Sequence, residues 1–344
     1  MKAMVLHAPN APFSLEERPD PVPGRGEAVA RVFACGAGLT IEHIRAGRAP
    51  ATFPRIIGHE ISAEIVAVGP DVNELAIGDP VTCYFYSSCG HCRWCRENRE
   101  TICENQGPRV GYFIDGGYAE LIKLPVKNFL KLPPGLDHRG KAAEVAVIAD
   151  ALATPYKVNR RTRTRPGETV AVFGAGGGLG IHQIMLSKWA GARVIAVDTA
   201  AEKFDACRTA GAAEVVHAAR DNVVEALRDL TRGKGVDVAI DYVSATVTLE
   251  QAVQSLAVKG RMVTLGGAGQ VFRADALQML RKELDLLGSR YVTRAEIFET
   301  LDLVARGEVW PMVTDIRPMA EAEALHERVE QGAVTGRAAL LIGP

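Results

Sequence analysis

Four cysteines fall within fifteen residues: Cys89, Cys92, Cys95 and Cys103. The spacing Cys-x2-Cys-x2-Cys-x7-Cys offers four thiolates from one loop, and tetrahedral Zn²⁺ takes four thiolates in closed structural sites. Gly90, His91, Arg93, Trp94 and Arg96 between them suit an exposed lobe rather than a core. An iron–sulfur cluster also uses short cysteine spacings, but no proline follows Cys103 and no second cluster is present. A disulfide pair conflicts with a reducing compartment. The spacing therefore predicts one structural zinc per chain. Cys35, Cys83 and Cys207 are scattered and read first as small buried residues.

A second constellation is the run from Val170 to Gly180, with glycines at 174, 176, 177, 178 and 180 and Leu179 between the last two. It lies between an apolar strand, Thr169 to Phe173, and a helix over Leu179 to Ala190. Glycines there let the backbone turn tightly and approach a pyrophosphate, while the helix N-terminus offers free N–H groups and a positive dipole end. The next strand, Arg193 to Val197, leads into Asp198, 24 residues after Gly174. That is close to the ~20 expected for the acid that binds the adenosine ribose hydroxyls. A carboxylate there repels a 2′-phosphate, so NAD is favoured over NADP. Lys203 flanks the same ribose, and Val243 and Gly266 are expected to line the cofactor. The bland alternative is a glycine-rich turn that binds nothing.

These sites need a frame to position them. The chain has 344 residues, enough for roughly two domains. Lys plus Arg is 40 and Asp plus Glu is 41, a formal charge of −1, which leaves no basic footprint for nucleic acid. Hydrophobic residues at 47% and charged residues at 24% describe a folded globular chain. No apolar run approaches the ~20 residues of a membrane span, and Pro9 and Pro12 interrupt any leader-like core. A cytoplasmic protein with no membrane partner is expected.

The first 150 residues read as short strands between Gly and Pro turns, such as Glu27 to Ala34 and Ile61 to Val68. From Thr169 strands and helices alternate. Glu202 to Ala210 is a helix closed by Gly211, Val236 to Ile240 and Arg261 to Leu265 are strands, and Leu249 to Val258 is a helix between them. This alternation predicts an α/β fold, a doubly wound parallel sheet, beside a strand-rich domain. The chain ends in an apolar strand, Ala338 to Ile342. Arg160, Arg161, Arg163 and Arg165 form a basic run, read as a solvated linker or as a contact for an anionic substrate.

A dinucleotide fold preceded by strands and a four-cysteine lobe resembles the zinc-type medium-chain alcohol dehydrogenase family over essentially the whole chain. Gly58-His59-Glu60, the paired turns Val68-Gly69 and Gly78-Asp79, and the stretch Asp115 to Glu120 match its motifs. The resemblance implies a GroES-like catalytic domain over 1–152 and 290–344 and a Rossmann NAD-binding domain over 153–289. It further implies an active site in the cleft between them and a homodimer or homotetramer.

The family's catalytic zinc has three protein ligands. His59 matches the histidine, and Asp150, within Ile148 to Tyr156, matches the second ligand. The third is normally a cysteine in Cys-x-Thr-Asp, where this chain has Gly38-Leu39-Thr40-Ile41. A ligand and the acid that supports the histidine are lost together, which points to a weak or absent catalytic zinc. Glu60 swinging in as an oxygen ligand is one rescue; Cys35 or Cys83 is another. Thr40 and His43 match the family's proton relay, a hydroxyl passing the proton to an imidazole. Alternatively, Thr40 caps a helix starting near Ile41 and His43 is a surface residue.

The leading expectation is an NAD(H)-dependent oxidoreductase moving a hydride between nicotinamide and an alcohol or carbonyl. Without zinc, a conjugated enone or an enoyl thioester is the better substrate, because its own carbonyl spreads the charge, with Thr40 or Tyr84 supplying a proton. A non-catalytic nucleotide sensor is the alternative of another class.

Overall fold

The computed structural model describes residues 1–343. The chain divides into two compact units, one formed by Met1–Ala153 with the chain from Val292 onward, the other by Thr154–Tyr291. Among the described residues no helix is long and apolar enough to cross a membrane.

The first unit is strand-rich. Its main sheet runs Val313–Pro318, Arg337–Leu341, Glu27–Ala37, Ile61–Val68, Pro80–Cys83, Phe129–Lys131, with Leu121–Pro125 also paired to Glu27–Ala37. A smaller sheet has the order Ser14–Glu17, Lys2–Leu6, Arg55–Ile56. The long central strand, Glu27–Ala37, is buried along most of its length, and residues such as Val29, Val32, Phe33 and Cys35 explain why. It runs through Gly38 directly into the helix Leu39–Arg45.

Register at the end of that strand sets up the site. Ala338 pairs with Ala37 and Ala339 with Gly36 on one side. Cys35 pairs with Ile61 and Ala34 with Ser62 on the other. Continuing both ladders outward brings Arg337 opposite Gly38 and Glu60 opposite Gly36. Residues 36 and 38 share a face of the strand, because side chains alternate.

The second unit is a six-stranded parallel sheet. Its order is Glu214–His217, Arg193–Asp198, Thr169–Phe173, Val236–Asp241, Leu256–Thr264, Asp285–Gly288. By chain order that is 3-2-1-4-5-6, the doubly wound dinucleotide arrangement, with its switch point between the first and fourth strands. Phe173, Ile195, Val197, Leu227, Leu249 and Met262 belong to its core.

Several expected elements need correction. The helix placed over Leu249 to Val258 is Thr246–Gln254, and Leu256 already begins a strand. Periodicity alone cannot separate a helix end from a buried strand in such an apolar run. The helix over Glu202 to Ala210 is a 3₁₀ turn, Ala201–Lys203, followed by the α-helix Phe204–Ala210, closed by Gly211 in the left-handed region. The strand Glu214–His217 is too short to show a period, whereas the helix Val223–Leu230 carries a signal the sequence reading passes over: Asn222 as N-cap, its side chain accepting the Glu225 N–H, with Val223 and Leu227 buried on one face. The basic run fastens the unit internally: Arg163 pairs with Asp285, and Arg161 Nε donates to the Gly288 carbonyl at 3.3 Å. For those two arginines the anion-contact reading therefore lapses.

Candidate active site

The four cysteines converge. Sγ–Sγ separations are 3.5 Å for Cys92–Cys95 and Cys89–Cys103, and 3.9 Å for Cys89–Cys95 and Cys92–Cys103. A tetrahedral ZnS₄ site with bonds of about 2.3 Å has edges of about 3.8 Å. Backbone N–H groups of His91 and Cys92 bring the Cys89 thiol down to about 6. The donor set therefore fits Zn²⁺. The lobe is fastened through Glu100, whose carboxylate lies 3.5 Å from Arg294; that guanidinium in turn stacks 4.3 Å over the Tyr84 ring.

In the second unit the glycine-rich turn sits where the first strand ends. Gly177 caps the helix Gly178–Trp189, which therefore starts one residue before Leu179. Gly180 packs so closely on the turn that a Cβ would lie 2.1 Å from the Gly174 carbonyl oxygen, so only glycine fits. Asp198 ends the second strand; its carboxylate accepts N–H bonds from Gly176 (2.8 Å) and Ala200 (3.0 Å). The stem of Lys203 packs against Gly176. Val243 is half exposed beside Gly174, and the Gly266 N–H donates to Ser244 Oγ at 3.2 Å. A glycine floor, a helix N-terminus and a carboxylate at the end of the second strand are a donor set that fits a dinucleotide without a 2′-phosphate.

The catalytic-zinc position is built differently. His59 Nε2 lies 3.0 Å from Asp150 Oδ2, both buried. The Glu60 carboxylate faces the other way. Its Oε1 accepts the Ala151 N–H at 3.0 Å, and its Oε2 accepts both Nε (3.0 Å) and Nη2 (2.6 Å) of Arg337. The two glycines make this pair possible. A Cβ on Gly36 would lie 2.2 Å from Glu60 Oε2, and one on Gly38 would lie 2.1 Å from Arg337 Nη1. Burial holds the Glu60 carboxyl above the ordinary carboxylate value, and Arg337 offsets only part of that rise. Burial likewise opposes the Arg337 charge, but Glu60 and Asp150 outweigh it and hold its pKa above the ordinary arginine value.

These residues do not fit a divalent cation. The third ligand is missing, a guanidinium fills its place, and the Glu60 rescue is blocked because both of its oxygens are taken. Cys35 and Cys83 are buried and complete no set with His59 and Asp150: among the described residues the converging donor group is the four cysteines. His59 Nδ1 is buried without a partner, as expected where Ile41 replaces the supporting acid. Arg337 is the functional residue that sequence reasoning misses. Its signal is a lone cation after Gly336, opening an otherwise apolar strand.

The relay residues are present but altered. The helix begins at Leu39, with Gly38 as its N-cap, so Thr40 lies inside the first turn and is not the cap. His43 Nδ1 accepts a bond from Arg48 Nε at 3.0 Å. His43 lies at the surface, as the alternative reading had it, yet partial desolvation and then the Arg48 charge hold its pKa below the ordinary histidine value. Tyr84 is fully buried, donates to the Val292 carbonyl at 3.2 Å, and has its pKa raised by burial; it is not an available acid.

Comparison with known proteins adds the chemical setting. Residues 178–306 match the family described as zinc-binding dehydrogenase, and residues 24–134 match the alcohol dehydrogenase GroES-like domain. An alcohol dehydrogenase of Geobacillus stearothermophilus is 34% identical over 343 residues, covering 99% of this chain and 98% of that protein. An acryloyl-coenzyme A reductase of Sulfurisphaera tokodaii is 31% identical over 322 residues, covering 91% of each. The solved structure of a protein called AibC superposes with a TM-score of 0.91 at 36% identity, covering 100% of this chain and 96% of that one.

Proposed function

This chain belongs to the zinc-type medium-chain alcohol dehydrogenase family, and we propose that within it the protein is an NADH-dependent reductase of a double bond conjugated to a carbonyl, working with one structural zinc and no catalytic metal. The substrate class we assign is an enone or a 2-enoyl thioester. The observation that carries this reading is the Arg337 guanidinium lying against Gly38, where a metal-binding thiolate would stand. An unactivated alcohol needs a Lewis acid to stabilise its alkoxide. A conjugated carbonyl spreads the developing charge over its own oxygen and needs only a hydrogen-bond donor there. The similarity to a protein named acryloyl-coenzyme A reductase supports the same substrate class.

Bound NADH supplies the hydride. The turn from Gly174 to Gly180 and the helix N-terminus at Gly178 hold its pyrophosphate, Asp198 and Lys203 take its ribose, and Val243 and Gly266 line it. Cys89, Cys92, Cys95 and Cys103 hold the structural zinc. Thr40, two residues past Gly38, carries a hydroxyl that hands a proton to the substrate, and His43 restores that proton from solvent. Glu60 and Asp150 act as positioning residues for Arg337 and His59.

The test is loss of NADH absorbance with a 2-enoyl thioester, an enone and a saturated ketone, and NAD⁺ reduction with primary and secondary alcohols. The conjugated substrates should be turned over with the highest kcat/KM. Chelator-sensitive alcohol oxidation that exceeds them would contradict the reading. Turnover of any of these substrates removes the sensor alternative.

A further inference from the structure

Arg337 is 5% exposed, yet only two of its three nitrogens are used by the protein. Nε and Nη2 grip Glu60. Nη1 lies against Gly38 and donates to no atom of the described residues. Among the described residues Nη1 is not one of the enclosed polar atoms that lack a partner, so it reaches space that a ligand can enter, with its N–H groups left to donate. Its neighbours, His59 and Asp150, are the residues that match the family's metal ligands.

We infer that Arg337 replaces the catalytic metal: its guanidinium closes this corner to a divalent cation and presents Nη1 to the carbonyl oxygen of the substrate. The identity of that oxygen rests on the conjugated-carbonyl reading above. In the step, a hydride from NADH forms a C–H bond at the β-carbon, and NADH becomes NAD⁺. The C=C π pair shifts to join the α-carbon and the carbonyl carbon, and the carbonyl π pair moves onto oxygen. Nη1–H holds that enolate charge by a hydrogen bond without giving up its proton, since a guanidinium stays protonated. The enolate α-carbon then takes a proton from the Thr40 hydroxyl, which His43 restores from solvent water, leaving hydroxide in solvent and the saturated carbonyl compound. Glu60 fixes the plane of the guanidinium, so Nη1 is held ready rather than mobile.

Two measurements on the full chain test this. Zinc-loaded wild type, titrated with Co²⁺ and desalted, should keep one metal per chain. Gly38→Cys/Arg337→Leu, with the thiolate restored and the cation removed, should keep two, with the absorption of a thiolate-bound cobalt. A second metal in wild type overturns the inference. Arg337→Gln/Glu60→Gln replaces the ion pair with neutral amides, so no buried charge is stranded. It should keep NADH affinity and the four-cysteine metal, leave KM within a few-fold, and lose roughly 10²–10³-fold in kcat, as when an oxyanion donor is removed. Arg337→Lys, which keeps the charge but not the fork, should fall between. A folded, NADH-binding double variant with kcat within threefold of wild type overturns the donor role. Failure of the substrate reading looks different: wild type would hold one metal yet not reduce conjugated carbonyls, and the same variants are then read with whichever carbonyl it does reduce.

Discussion

The guanidinium of Arg337 occupies the volume that any side chain on Gly38 would need. Register makes the meeting unavoidable, because the two residues face each other where the strands Arg337–Leu341 and Glu27–Ala37 pair. A thiolate at 38 and an arginine held against Glu60 are therefore alternatives. Gly38→Ala should force Arg337 off Glu60, and breaking a buried pair costs ~3–5 kcal/mol. Urea unfolding should show a loss of at least ~2 kcal/mol, with most of it regained in Gly38→Ala/Glu60→Gln/Arg337→Leu. A loss below ~0.5 kcal/mol, the range of ordinary surface changes, would mean that Arg337 swings aside freely.

Asp198 is both a ribose ligand in this account and an acceptor for two turn N–H groups. Asp198→Asn keeps an oxygen for the turn but removes the charge that repels a 2′-phosphate. The ratio of kcat/KM for NADH over NADPH should fall by roughly tenfold or more, the equivalent of ~1.4 kcal/mol. An unchanged ratio would remove Asp198 from cofactor selection.

The four-cysteine lobe should behave as a zinc-dependent element. Cys103→Ser should lower the zinc content below one per chain, lower Tm, and expose residues 89–103 to protease. Glu100 and Arg294 connect the lobe to the Tyr84 region, so loosening should reach Tyr84. A variant with unchanged Tm and protease resistance would show that the metal contributes nothing to stability.

His43 carries a pH signature. Its folded pKa is lowered, so the unfolded chain binds the proton more readily as pH falls. Its contribution to stability is thus present above about pH 6.5 and lost as pH falls through the folded pKa. Arg48→Ala removes the second cause of that shift and the bond to Nδ1. The His43 ring should then titrate closer to 6.5 by NMR, and the limb of kcat/KM on which reduction falls as pH rises should move up with it if this imidazole delivers the proton. A limb that stays in place while the ring pKa moves would take His43 out of the relay.

The sheet of the second unit was legible because its strands are short runs of Val, Ile, Ala and Phe between glycine turns, and its glycine-rich turn and Asp198 are local in sequence. The four-cysteine lobe was legible for the same reason. The strand Glu214–His217 was not, since four residues give too little period to read. Gly38 and Ile41 announced a lost ligand, but what fills the gap comes from 299 positions further along the chain. Only the pairing of strands brings Arg337 there, and a lone cation opening an apolar strand has no spacing to betray it. His43 was visible as a residue, while its bond to Arg48 depends on how the chain turns after the helix Leu39–Arg45.

The central claim is reduction of a conjugated carbonyl without a catalytic metal. It is tested most directly by counting zinc per chain in a preparation whose turnover of a 2-enoyl thioester with NADH has been measured. The account predicts full activity with one zinc, held by Cys89, Cys92, Cys95 and Cys103 and resistant to brief chelation. Two zincs per chain, with activity lost as the second is removed, would contradict it.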